Sequence, residues 1–369
     1  MANPDNAVIT VVGAGPGGLA TAAHLSHLGY QVNLLNRSRD RIGRITSEGG
    51  VTSSGMIDGF FRLGLITTSA EEALSGAKLV LIVTPATAHA DIAAMLAPHF
   101  EDGQIVVLTP GRTGGALEFR AVLMKHNVGA DLIICETQTI LYTCRSGGTQ
   151  DVNIIAVKKK VTFAAFPASR TGEAAAYLAA ISPGYGAAAD VLETSLNNVG
   201  CILHPAPTLL NTGGIENPGF RFKHYYEGIT PTVARILERL DEERLSVANH
   251  LGVHGFSTVA WLHETYGASG ADLYEAIQNT KAYATIEAPD TIAHRYLAED
   301  VPTGLVPISS LAHRFGLEVP TTDLVIDLAS LACGIDFRRT GRTVSSLQIE
   351  DLDARQLRQY VTQGCRPYG

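Results

Sequence analysis

Ala7-Val8-Ile9-Thr10-Val11-Val12, running straight into Gly13-Ala14-Gly15-Pro16-Gly17-Gly18 and then Leu19 to Leu28, reads as a strand, a glycine turn and a helix. The first segment is apolar and β-branched, and the glycines permit the sharp bend that a strand-to-helix connection demands. Gly29 stops the helix and Gln31 to Leu35 supplies a second strand, so a βαβ unit closes within about 30 residues. Working outward, apolar strands recur at Leu79–Val83, Gln104–Leu108 and Leu132–Ile134, with helical stretches at His89–Ala97 and Gly115–Lys125. This alternation predicts an α/β fold with a doubly wound, Rossmann-type domain. Val152–Ala156 and Val161–Phe166 are expected to extend its sheet at one edge.

Past Ser182 the texture changes to helical periodicity. Thr230 suits an N-cap and Pro231 the first turn; Val233, Ile236, Leu237, Leu240, Val247 and Leu251 then follow at helical spacing up to Gly252. The expected division is a Rossmann-type domain over 1–188 and a mainly α-helical domain over 189–369, which suits a chain of 369 residues.

Nearly half the residues are apolar, which argues for a well-buried globular protein, and the net charge of -8 argues against nucleic acid or an acidic membrane as partner. Small molecules are the expected partners. Five cysteines, Cys135, Cys144, Cys201, Cys333 and Cys365, lack the spacing of a disulfide framework or a metal site, so no metal is expected. No signal-peptide pattern leads the sequence, and no apolar run approaches the ~20 residues that span a bilayer. The expectation is a soluble protein of a reducing cytoplasm.

The glycine turn carries the first functional signal. Gly13, Gly15 and Gly18 allow a tight bend, a close approach of backbone to a pyrophosphate, and packing of helix on strand. In a complete βαβ unit this points to a dinucleotide, and 1–188 becomes a nucleotide-binding domain. The end of the second strand chooses between nucleotides. An acidic residue there would hold the ribose hydroxyls of NAD(H); the sequence instead has Asn36-Arg37-Ser38-Arg39, whose amide, hydroxyl and guanidinium groups suit a 2′-phosphate. NADP(H) is therefore preferred, with NAD(H) possible; Arg37 and Arg39 simply solvating a surface loop is the plainer reading. FAD is disfavoured because its sites also want an acid at that strand end. Thr84-Pro85-Ala86 and Thr109-Pro110-Gly111-Arg112-Thr113-Gly114-Gly115 follow later strands at the end where such sheets bind ligands, with Pro85 expected against the cofactor. Gly114 and Gly115 either present helix amides or only form a turn.

Hydride transfer at a carbon bearing oxygen or nitrogen needs an acid/base, and imidazole is suited to it. Of twelve histidines, His24, His27, His89, His99 and His250 have ordinary contexts. His204 stands out, as a polar side chain in the apolar run Val199-Gly200-Cys201-Ile202-Leu203-His204-Pro205.

Five separated blocks surround and extend this signal: Thr113-Gly114-Gly115-Ala116-Leu117-Glu118-Phe119-Arg120; Thr143-Cys144-Arg145-Ser146; His204-Pro205 with Pro207-Thr208-Leu209-Leu210-Asn211; Tyr226-Glu227-Gly228-Ile229-Thr230-Pro231; and Arg295-Tyr296 with Glu299-Asp300-Val301 and Thr303-Gly304-Leu305-Val306-Pro307. In this order they resemble the opine dehydrogenases, the octopine/nopaline dehydrogenase family, most nearly its bacterial N-(1-carboxyethyl)-amino-acid dehydrogenase branch. The resemblance implies reduction of the imine formed between a 2-oxo acid and an amino acid amine by NADH or NADPH. It implies His204 as the catalytic histidine, Asp300 as its paired carboxylate, and Arg295 as the arginine for a substrate carboxylate. A buried carboxylate on the far ring nitrogen would fix the tautomer and stabilise imidazolium. Arg145 and Arg112 are the next carboxylate partners, and Thr143 and Asn198 complete the substrate lining. The plainer readings are a cap or turn residue for Asp300 and a solvated helix face for Arg295.

Two rival activities stay open: an NADP-dependent 2-oxo or 3-hydroxy acid reductase, which would employ a lysine on the helical domain, and a non-enzymatic NADP(H)-binding sensor. Where the family's NAD-using members close the second strand with an acid, Asn36 departs from the pattern. A homodimer through the helical domain is a further expectation.

Overall fold

The computed structural model describes residues 7–146, 148 and 151–366. These form two compact units, one of residues up to Thr194 together with those from Gln359 onward, the other Ser195–Arg358.

The first unit opens with β1 (Val8–Val12), α1 (Pro16–His27), β2 (Gln31–Leu35) and α2 (Arg39–Glu48). Three short strands follow, β3 (Gly50–Gly55), β4 (Gly59–Arg62) and β5 (Leu65–Thr67), then α3 (Ala70–Leu74). The regular alternation resumes with β6 (Ala77–Ile82), α4 (His89–Leu96), β7 (Ile105–Leu108), α5 (Gly115–Lys125) and β8 (Ile133–Thr137). After β9 (Tyr142–Ser146), β10 (Asp151–Val157) and β11 (Val161–Phe166) come α6 (Thr171–Ile181) and β12 (Tyr185–Ala187). The main sheet runs β12-β11-β8-β7-β6-β1-β2-β5, parallel except where β11 meets β8. Its central strands are apolar and buried along nearly their whole length, as strands covered on both faces must be.

A second sheet, β4-β3-β10-β9, covers α1. Leu19, Ala20, Ala22, Ala23 and Leu25 of α1 share one core with Val51, Tyr142, Val152 and Ile154 of that sheet. This explains why α1 is buried from Gly18 to Ala23 and again at Leu25, with exposure confined to His27 in its last turn. Val152–Ala156, expected in the main sheet, lies instead in this second sheet as part of β10. Buried Val152 and Ile154 alternate with exposed Asn153 and Ile155, which suits a sheet with one open face. Val161–Phe166 does extend the main sheet as β11, where Phe163, Ala164, Ala165 and Phe166 are all buried.

After α7 (Val191–Leu196), the second unit is helical: α8 (Gly200–Leu203), α9 (Pro205–Leu210), α10 (Thr212–Ile215), α11 (Pro231–His250), α12 (Thr258–Tyr266) and α13 (Leu273–Gln278). There follow α14 (Arg295–Ala298), a wide turn over Val301–Leu305, α15 (Val306–Arg314), α16 (Pro320–Cys333), α17 (Phe337–Thr340) and α18 (Ala354–Gln363), whose end returns to the first unit. There Val361 is buried and Tyr360 lies edge-on to Phe166, centroids 4.9 Å apart. The long helix starts as its sequence predicts, with Thr230 accepting a hydrogen bond from the Val233 amide at 3.3 Å. On its buried side Arg244 is fully enclosed, donating to Asp241 (2.6 Å), to the Phe256 carbonyl (2.7 Å) and to the Leu196 carbonyl. That guanidinium fixes the segment leading into α8, where the site begins.

Candidate active site

The first unit holds the nucleotide turn. Gly13 has φ +112°, and a β-carbon there would stand 2.5 Å from the Val83 carbonyl oxygen; one on Gly18 would stand 1.8 Å from that of Gly13. No atom lies within 4 Å of the corresponding position on Gly15, the N-cap of α1, so the backbone there is clear for a close-approaching group. The open position, the helix N-terminus and the tight packing of Gly13 and Gly18 fit a pyrophosphate.

Asn36 ties the end of β2 to this turn: its Oδ1 accepts from the Ala14 amide (3.1 Å) and its Nδ2 donates to the Ser38 carbonyl (3.0 Å). Arg41, which the sequence reading passed over, donates from Nε to the Ala14 carbonyl at 3.0 Å. Arg37, Ser38 and Arg39 are exposed just beyond, and Ser38 stands at the N-cap position of α2 with no capping bond from its side chain. Pro85 is exposed after β6.

Two loops at the C-terminal ends of β7 and β8 are tightly built. Gly114, at φ +75°, forms the turn into α5, and the Ala116 amide is taken by the buried Glu136 carboxylate at 2.8 Å. Gly114 thus makes the turn, and the Ala116 amide is not on offer to a ligand. Lys158 donates to Thr139 Oγ1 and to the Ile140 carbonyl, each at 2.8 Å, while burial and neighbouring Arg112 push its ammonium down to about 8. The Ile140 side chain in turn abuts Gly17 of the glycine turn. Tyr142 and Cys144 of β9 pack on the core shared with α1; Thr143 and Arg145 are exposed on the opposite face of that strand.

In the second unit His204 stands between α8 and α9, with Pro205 in the first position of the following helix. Nδ1 of His204 is 2.8 Å from Oδ2 of Asp300, which is 0% exposed and leads into the wide turn over Val301–Leu305. Turns of this kind interrupt regular helices and often mark functional positions. Nε2 is 3.1 Å from the Tyr225 hydroxyl. One face of the imidazole is covered by the Tyr296 ring, at 4.2 Å and 10° between planes. His224 lies behind, where burial and then the proximity of His204 push its pKa down to about 3.

The sequence-derived pair His204 and Asp300, 96 positions apart, is therefore brought together. Asn198 is buried before α8, its amide near Gly304 of the wide turn. Arg295 opens α14, is 58% exposed and pairs with Glu299 at 3.0 Å. Tyr225 and Tyr296 were missed as site residues, although Tyr296 stands inside a block that carries the resemblance. Among the described residues no cluster of His, Cys, Asp and Glu could hold a metal ion, and no helix is long and apolar enough to cross a membrane.

Residues 187–333 match the family model described as NAD/NADP octopine/nopaline dehydrogenase, alpha-helical domain, and residues 9–128 match ketopantoate reductase PanE/ApbA. The opine dehydrogenase of Arthrobacter sp. (strain 1C) is 40% identical over 352 residues, covering 95% of this chain and 98% of the relative. The chain belongs to the opine dehydrogenase family. It is an NAD(P)-dependent oxidoreductase acting on CH–NH bonds, with the α/β-then-helical architecture expected of an opine dehydrogenase. Protein ocs of Agrobacterium tumefaciens (strain Ach5) is 27% identical, covering 94% of this chain and 97% of its own. In fold, the chain matches octopine dehydrogenase solved with NADH and L-arginine at TM-score 0.79 and 22% identity, covering 98% and 99% of the two chains. It matches NADP+-bound yersinopine dehydrogenase at TM-score 0.76 and 15% identity, covering 97% and 98%.

Proposed function

We propose that this opine dehydrogenase joins the amine of an amino acid to a 2-oxo acid of the pyruvate or 2-oxoglutarate type, through an imine, with NADPH as preferred reductant and in a reversible reaction. The observation that carries the reading is the His204–Asp300 pair, a partly open imidazole backed by a wholly buried carboxylate. The relatives' names agree in kind: octopine dehydrogenase has been solved with L-arginine and with pyruvate.

In this reading Asp300 holds the Nδ1 proton and stabilises imidazolium. His204 accepts a proton from the substrate ammonium, freeing the amine to attack the keto carbon. It returns the proton to the hydroxyl that leaves as water, which yields the imine. NADPH supplies the hydride that reduces the imine carbon. Both substrates carry carboxylates, for which Arg295 is the first partner and Arg145 the second, with Thr143 and Asn198 as hydrogen-bonding lining. For Arg295 to serve, its exposed guanidinium must exchange Glu299 for the substrate.

NADPH preference rests on the strand end. Asn36 places no charge beside the ribose, and Arg37, Ser38 and Arg39 supply donors for a 2′-phosphate, with Pro85 on the cofactor's path. A homodimer through the helical unit is supported by α16, where Leu324, Leu328, Leu331 and, just past the helix, Ile335 form an exposed stripe at helical spacing. The same reading puts the enzyme in the cytoplasm.

NADPH oxidation followed by absorbance, with pyruvate or 2-oxoglutarate and a panel of amino acids, each omitted in turn and repeated with NADH, tests this. Oxidation that requires both carbon substrates is expected. Oxidation with the oxo acid alone would favour the simple reductase, and NADPH binding without turnover the sensor.

A further inference from the structure

We propose that Tyr296 is a positioning residue for the proton transfers of His204, its ring fixing the plane of the imidazole and so the direction in which Nε2 points. The inference rests on the acid/base role given to His204 above and adds the group that aims the base.

A hydrogen bond holds one atom and leaves a pivot. With Nδ1 of His204 tied to Oδ2 of Asp300 at 2.8 Å, the ring can still turn about that bond, because the outer torsion of a histidine side chain has broad minima. Nε2 would then sweep an arc. Its contact with the Tyr225 hydroxyl at 3.1 Å does not prevent this during reaction, since Nε2 must leave that hydroxyl to take the substrate's proton. A stacked ring persists through the transfer. The Tyr296 phenol lies 4.2 Å from the imidazole with 10° between planes, so tilting the imidazole drives one edge into the phenol and opens a gap at the other.

Tyr296 is itself held. The His294 ring stands edge-on to it at 4.5 Å and 88°, and Nδ1 of His294 accepts from the Tyr296 amide at 3.4 Å. His224 meets it from another side at 4.8 Å. The local sequence supplies the placement: Tyr296 and Asp300 are four residues apart in a stretch whose backbone stays helical through Asp300, so both side chains rise on one face. Arg295 and Glu299, each one position earlier, form the neighbouring pair, with the guanidinium exposed. Buried Leu297 anchors the segment. One helical turn therefore delivers both the carboxylate that tethers the imidazole and the phenol that sets its plane.

The test compares wild type, Tyr296→Phe and Tyr296→Leu in steady-state NADPH oxidation, each carbon substrate being varied and rates normalised to NADPH-binding sites. Tyr296→Leu lacks a flat face and is expected to lower kcat roughly 10–100-fold, with KM for both carbon substrates changed by less than about 3-fold. Tyr296→Phe restores the face and should rescue most of that loss, to within about 5-fold of wild type. Wild-type kcat in the leucine variant would overturn the proposal. So would a rise in KM alone, which would make Tyr296 a substrate contact, or an equal loss in both variants, which would assign the role to the hydroxyl. A second measurement needs neither turnover nor a folded leucine variant. In 1H–13C spectra of wild type, the His204 ring protons, assigned with His204→Gln, should be displaced upfield by the stacked phenol and stay so in Tyr296→Phe. His204 signals at the ordinary position would show that the rings do not stack and would end the proposal directly. Normal turnover by His204→Ala, with the upfield signal intact in wild type, would instead sink the acid/base reading and this role with it, leaving the stack as structure only.

Discussion

Nδ1 of His204 lies 2.8 Å from Oδ2 of Asp300, with the carboxylate buried and the imidazole still partly open. The carboxylate fixes which nitrogen faces inward and holds the ring in one orientation. Asp300→Asn keeps the shape and removes the charge. It is expected to lower kcat by ~10²–10⁴, as is His204→Ala, with NADPH affinity nearly intact by fluorescence titration. Unchanged turnover in either would remove that residue from the mechanism.

The cofactor preference is open to a one-atom test. Asn36→Asp retains an acceptor for the Ala14 amide and brings a carboxylate to the strand end. Repulsion and lost charge-assisted bonding should raise KM for NADPH ~10–100-fold, while KM for NADH stays level or falls. Equal effects on both nucleotides would mean that Asn36 only supports the turn.

His224 makes the helical unit acid-sensitive. An unfolded histidine takes its proton near its ordinary value of 6.5, whereas the folded one resists until about 3. Between those values the unfolded chain binds more protons, so stability falls as pH drops through the window. The loss is up to a few kcal/mol. Chemical denaturation from pH 7 to pH 4 should show it in wild type and show a flatter curve in His224→Gln; parallel curves would refute the assignment.

Arg244 is enclosed with Asp241, whose other oxygen accepts from the Thr258 amide at 2.7 Å. Arg244→Met leaves that carboxylate buried without its cation and should cost ~3–5 kcal/mol in urea unfolding. Adding Asp241→Leu should recover part of the loss. If the double variant is simply the sum of two losses, the pair is not coupled.

Leu331 is 81% exposed on α16 and Leu324 66%. Leu324→Asp with Leu331→Asp should convert the protein to a monomer by light scattering while the far-UV spectrum holds. A wild-type protein that is already monomeric would end the dimer reading.

The nucleotide turn was legible because everything that defines it is local: a strand, six residues of turn and a helix, each with its own chemistry. The second sheet was not. Gly50–Gly55 is glycine, serine and threonine apart from one valine, and its pairing with β10 spans about a hundred positions. The usable signal was indirect, since an α1 whose stretch Leu19 to Ala23 is apolar apart from Thr21 demands a second cover. The His204–Asp300 pair emerged from the order of blocks along the chain, because no periodicity links residues so distant. Tyr225 was hidden for another reason: a tyrosine beside a histidine in Lys223-His224-Tyr225-Tyr226 looks like ordinary core, and only the folded geometry aims its hydroxyl at Nε2.

The return of α18 to the first unit sets the order in which the protein can be made. A nascent chain leaves the ribosome with the nucleotide-binding sheet first, yet Tyr360 and Val361, which pack into that unit, emerge only after the whole of Ser195–Arg358. The helical unit therefore folds as an insertion, anchored at both ends, while its host still lacks a piece. A stop codon just before Gln359 would leave every helical-site residue in place and injure the nucleotide-binding half instead.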